Sequence, residues 1–188
     1  MDSTDRVSTP DWLDLVALGR VSAGLLALEV LLLRLFEFSH WHHFAGLAVS
    51  LALLGLGAAG TTLALAGRRH WARGDGWFLF LLWLQSRVAL RPVFAGWDAG
   101  ELATILLVDF VAFLPFYGAG LVIAHVFLRW PGHPRRLYAA NLLGSGVGSL
   151  GASVLLMLMV VEKTLAVVAL ILFLLGVVVA ATRRRRSA

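Results

Sequence analysis

Long apolar runs broken by short polar clusters organise this chain almost from end to end. A hydrocarbon core about 30 Å thick is crossed by about 20 apolar residues of helix, each rising about 1.5 Å. Residues 44–66, 137–161 and 164–182 reach that length without a single charge. Residues 16–36, 77–96 and 102–128 reach it with a few ionisable residues inside. The pattern predicts an all-α integral membrane bundle of six transmembrane helices over residues 16–182. A tail at 1–15 precedes it and a basic tail at 183–188 follows. Pro115 falls near the middle of the fourth span, where it predicts a kink relieved by neighbouring helices.

Arginine and lysine set the expected orientation. Arg6, then Arg68, Arg69 and Arg73, then Arg129, Arg135 and Arg136, then Arg183 to Arg186 flank one side. The other side holds Arg91 near a helix end and Lys163, expected in a tight turn between the fifth and sixth spans. This bias places both termini and the second and fourth loops in the cytoplasm. The expected location is a bacterial inner membrane, as a multi-pass protein. Trp12, Trp71, Trp77, Trp97 and Trp130 fall near span ends, where amphipathic rings settle. The first fifteen residues carry four aspartates and one arginine, the wrong balance for a cleavable signal. The run Thr-Arg-Arg-Arg-Arg at 182–186 reads either as a positive-inside anchor for the last span or as a docking patch for anionic lipid or an acidic partner.

Composition supports a membrane protein and excludes several chemistries. Of 188 residues, 60% are hydrophobic and 14% charged, against about 45–50% and about 25% in soluble domains. The net charge of +5 is spread in clusters between apolar runs, so it indicates topology and not nucleic acid. Cysteine is absent, which removes disulfides, thiolate metal sites and cysteine nucleophiles together.

Two small-residue patterns stand out within the spans. Gly146, Gly148 and Gly151 spell a dinucleotide-binding fingerprint, but that motif works only between a strand and the opening of a soluble helix. The better reading is Gly144, Gly148 and Ala152 at intervals of four, a face that admits another helix closely, whether from this chain or a second subunit. The second span carries a similar set in Gly46, Ser50, Gly55, Gly57, Ala59 and Gly60.

Charges inside spans cost about 2.5–3.5 kcal/mol each on insertion scales and need a partner or a wet cavity. Counted from the span ends, Glu29, Arg87 and Asp109 fall at similar depth, predicting a buried cluster that Arg34 and Arg91 extend to the surface. Such a cluster is either a polar path for a cationic or zwitterionic solute or a proton, or a closed set of ion pairs that fixes helix register. His40, His42 and His43 bunch in the loop between the first two spans. They present either incomplete ligands for metal or haem, or imidazoles hydrogen-bonded at the interface. No catalytic spacing is present in the sequence, and no cofactor is expected.

Several segments resemble the membrane-embedded spermidine synthase-like proteins. They are residues 27–36 (ALEVLLLRLF) and 41–61 (WHHFAGLAVSLALLGLGAAGT), and residues 114–152 with the basic loop they contain. The Glu29/Arg34 pair, the run His43-Phe44-Ala45 and the stretch from Tyr138 to Gly148 carry the likeness. In that family a major-facilitator-like membrane region is joined to an aminopropyltransferase-type domain. The resemblance implies a fold like half of a major-facilitator protein. It further implies a membrane module that works beside a separately encoded synthase-like enzyme, since no residue of the synthase domain lies in this sequence. The expectation is therefore a non-catalytic membrane subunit that binds the lipid bilayer and another protein subunit or a second copy. A half-transporter for a small solute is the alternative, and a haem- or metal-binding redox subunit the third.

Overall fold

The computed structural model describes residues 9–39, 45–66 and 99–187. They form five helices: α1 (Trp12–Ser39), α2 (Ala45–Ala66), α3 (Ala99–Arg129), α4 (Pro134–Leu158) and α5 (Val161–Ser187). No strand occurs among the described residues. Each helix contains a segment long and apolar enough to cross a membrane: Trp12–Leu35, Gly46–Leu65, Asp109–Arg129, Pro134–Leu158 and Val161–Thr182. The chain thus has the character of a multi-pass membrane protein. The stretch 77–96, expected as the third span, lies outside the described residues.

Local chemistry sets the helix ends. At the start of α1 the Asp11 carboxylate accepts a hydrogen bond from the Trp12 backbone N–H at 2.8 Å, satisfying a donor the helix itself cannot. The helix therefore opens one turn before the apolar run that predicted it. Pro134 stands in the first turn of α4, where its missing N–H costs nothing. Helix α4 ends at Leu158, and Met159 is extended at φ −150°, ψ 163° while its N–H donates to the Leu155 carbonyl at 2.9 Å. Lys163 was expected in the turn between the last two helices, and the structure corrects this. The turn is at Met159 and Val160, and Lys163 belongs to the first turn of α5 beside Glu162. Every residue at the break is apolar, so hydropathy runs through it unchanged. An acid in the first turn of α5 suits the positive end of that helix.

Helix α1 is central and packs against all four of the others. Its apolar segment is 61% buried, against 11% for that of α4. Val21, Leu25, Leu28 and Leu32 run down one stripe of α1 into a core completed by Ala48 and Ala52 of α2, Ala112 and Phe116 of α3, Ala152 of α4, and Leu165 and Leu172 of α5. This placement has an electrostatic reason. Helix α1 carries Arg20, Glu29 and Arg34, and an ionisable helix is costly against lipid. Helix α5 carries none between Thr164 and Thr182 and exposes Leu170, Phe173, Leu174 and Val178.

Two close helix pairs define the topology. On α2, a methyl built on Gly55 would sit 2.6 Å from the Phe116 Cβ and 2.9 Å from the Tyr117 backbone nitrogen of α3. One turn along, a methyl on Gly120 would meet Ala59 at 2.8 Å. The matched residue numbers rise together, so α2 and α3 run parallel. The same holds for α1 and α4, where Gly19 lies against Gly144 and Ala23 against Gly148. Pro115 is fully buried inside α3, next to the Phe116 that Gly55 receives.

Candidate functional site

The polar groups within the bundle gather on α1 and the helices that flank it. Arg20 is only 6% exposed, and its Nη1 donates to the Leu172 carbonyl of α5 at 3.3 Å. Two residues along, the Ser22 hydroxyl reaches Asn141 Oδ1 of α4 at 2.7 Å and its own helix at the Leu18 carbonyl, 2.9 Å. These two contacts cross-brace α1 to both α4 and α5 at one level of the membrane. Buried polar atoms in hydrocarbon must find protein partners because no water is there to accept them. On the other side, the Tyr117 hydroxyl donates to Thr62 Oγ1 at 3.0 Å, and Thr62 in turn donates to the Ala58 carbonyl at 2.8 Å.

The expected charge cluster is described in part. Glu29 of α1 and Asp109 of α3 are both half-buried, and Arg34 is exposed near the far end of α1. Asp109 lies one turn before Ala112, which shares a core with Leu28. Glu29 meets no hydrogen-bonding or ion-pairing partner among the described residues. Arg87 and Arg91 lie outside the described residues, as do His40, His42 and His43. Among the described residues, no group of three His, Cys, Asp or Glu side chains could hold a metal ion.

The glycines divide into two kinds. Gly144 and Gly148 have no room for a side chain: a methyl would fall 2.7 Å from the Gly19 Cα and 2.6 Å from the Ala23 Cα respectively. Ala152 continues the same face and is 1% exposed. Their neighbour is therefore internal to the chain, and it is α1. By contrast, among the described residues, methyls built on Gly46, Gly57 and Gly60 of α2 meet nothing within 4 Å, and the same is true of Gly146 and Gly151 of α4. Gly46, Ser50, Gly57 and Gly60 are all exposed and share the face of α2 opposite Gly55 and Ala59. The hydroxyls beside them are quiet: Ser50 donates to the Gly46 carbonyl at 2.9 Å and Thr61 to the Gly57 carbonyl at 3.0 Å.

Sequence reading overlooked Arg20, Ser22 and Asn141 as a unit. The available signal was polarity inside otherwise apolar spans, but Ser22 and Asn141 lie 119 positions apart and nothing local couples them. Gly19 and Ala23 were overlooked for a different reason, because a glycine and an alanine spaced by four are common in any apolar helix.

No protein family, characterised protein or solved structure was found to match this chain.

Proposed function

We propose that the protein is a non-catalytic integral membrane subunit that holds a partner protein through the face of α2 that carries Gly46, Gly57 and Gly60, which no described residue covers. One observation carries this reading. Gly55 is pressed against α3, whereas Gly46, Gly57 and Gly60 on the opposite face of the same helix meet nothing among the described residues. In lipid, a glycine gains no packing and costs about 0.5–1 kcal/mol of helix stability relative to alanine. Small residues within spans are spent where another helix comes close. Leu53 and Leu54, 67% and 61% exposed beside this face, supply the larger side chains that interlock around such a contact.

Six spans with both termini cytoplasmic complete the proposal. Parallel α2 and α3 support the sixth crossing, because the chain leaving Ala66 must return to the end from which α2 started before it enters α3. Exposed Arg129 at the end of α3 and exposed Arg135 and Arg136 in the first turn of α4 support the cytoplasmic assignment of that side. In this reading the partner is a separately encoded enzyme of the synthase-like kind that the sequence resemblance implies, held at a bacterial inner membrane.

The test is mass spectrometry of what co-purifies with the tagged protein from its native membrane in mild detergent. A stoichiometric partner lost in Gly57→Leu and Gly60→Leu is the expected result. A clean monomer or homodimer overturns the reading.

A further inference from the structure

A cavity of about 720 Å³ opens where α1, α4 and α5 end together. Arg34 lines it from α1, Leu156 and Met157 from α4, Met159 and Val160 from the turn, and Glu162 from α5. The apolar segments of these three helices stop at this level, at Leu35, Leu158 and Val161. Those limits place the cavity at the depth where hydrocarbon gives way to headgroups. Its size falls within the range of about 300–1,000 Å³ typical of ligand sites.

The lining combines one guanidinium, one carboxylate and an otherwise apolar wall. We propose that this cavity binds a zwitterionic phospholipid of the phosphatidylethanolamine type, with its phosphate at Arg34 and its ammonium at Glu162. Charge complementarity selects that occupant. An anionic phospholipid offers a phosphate to Arg34 but no ammonium to Glu162, and an uncharged lipid offers neither group. Arg34 has five N–H donors, so it serves a phosphate alongside contacts within the protein. The acyl chains have a path as well. Met157 is 86% exposed and Leu158 73%, so the cavity rim continues as an apolar surface toward the bilayer. That track distinguishes a lipid from a water-soluble zwitterion. This site is on different helices from the open face of α2, and its occupancy does not depend on a protein partner.

The test uses the purified full-length protein, delipidated in detergent and titrated separately with palmitoyl-oleoyl phosphatidylethanolamine, the matching phosphatidylglycerol and dioleoylglycerol. Native mass spectrometry reads the lipid retained. One phosphatidylethanolamine is expected to be kept with roughly tenfold preference over the other two, as one charge-assisted contact supplies. Glu162→Gln is expected to remove the preference over phosphatidylglycerol. Arg34→Gln should weaken both phospholipids, and Lys163→Gln, one position away and outside the cavity lining, should change neither. Equal retention of all three lipids by the unmodified protein overturns the proposal without recourse to any variant. So does an unchanged preference in Glu162→Gln.

Discussion

Gly148 of α4 lies so close to the backbone of Ala23 in α1 that a methyl group on Gly148 would sit 2.6 Å from the Ala23 Cα. The obstacle is main chain, which cannot swing aside as a side chain can. Gly144 repeats the relationship one turn earlier against Gly19. These two positions let parallel helices approach at nearly backbone-to-backbone distance, where dispersion replaces the hydrophobic effect as the attraction available in lipid.

That contact predicts a sharp contrast between neighbouring glycines. Gly148→Ala should destabilise the bundle by about 1–3 kcal/mol through overpacking, with a clear fall in melting temperature in detergent. Gly146→Ala, with no described residue within 4 Å, should be neutral or stabilising by up to about 1 kcal/mol from helix propensity. Equal melting temperatures for the two variants would remove the close α1–α4 contact.

The Ser22–Asn141 bond should couple the same two helices energetically. Ser22→Ala and Asn141→Leu, measured singly and together by reversible unfolding, are expected to give an interaction energy of about 0.6–1.7 kcal/mol. Additive effects would mean that the 2.7 Å contact contributes nothing to stability.

Between α2 and α3, packing should outweigh hydrogen bonding. Phe116 is completely buried, so Phe116→Ala should cost about 3–5 kcal/mol. Tyr117→Phe removes a 3.0 Å bond to Thr62, yet Thr62 keeps its own bond to the Ala58 carbonyl. No buried group is stranded, and the expected cost is below about 1 kcal/mol. A larger loss in Tyr117→Phe than in Phe116→Ala would contradict this packing.

The parallel course of α2 and α3 can be checked by labelling, because the chain contains no cysteine to confuse the readout. Single cysteines in Gly46→Cys and Leu107→Cys are expected to react with an impermeant maleimide from the same side of sealed vesicles. Arg135→Cys should react from the opposite side. Labelling of Gly46→Cys and Leu107→Cys from opposite sides would exclude parallel helices and the crossing inferred between them.

The two faces of α2 should separate stability from assembly. Gly55→Leu should unfold the protein, since Phe116 and Tyr117 already fill the space beside it. Gly57→Leu should melt like the unmodified protein and lose its partner in pull-down experiments. Retention of the partner by Gly57→Leu would place the contact elsewhere.

Much of the helical framework was legible because a membrane span is a local property. The apolar run at 44–66 matches α2 (Ala45–Ala66) nearly residue for residue, since backbone groups in hydrocarbon must be satisfied within the segment itself. The break at Met159 was not legible. Met, Val and Leu surround it, and only the extended backbone there separates α4 from α5. The depths of Glu29, Arg87 and Asp109 could be counted along the spans, but Arg87 and Arg91 of the expected cluster lie outside the described residues. The cross-brace from Arg20 to Leu172 was not legible, because a carbonyl inside a helix gives no sign in sequence that it also accepts a side chain.

The sequence by itself determined that the chain is helical and apolar, and which positions are small enough to allow close approach. The tertiary structure alone decided that Gly144 and Gly148 meet Gly19 and Ala23, that α1 stands at the centre, and that Arg34 and Glu162 line one cavity. The physical reason lies in the solvent. Lipid tails are as apolar as leucine, so hydrophobicity drives each helix into the membrane without choosing its neighbours. That choice falls to the fit of small residues against backbone and to a few polar pairs, and both belong to two helices at once.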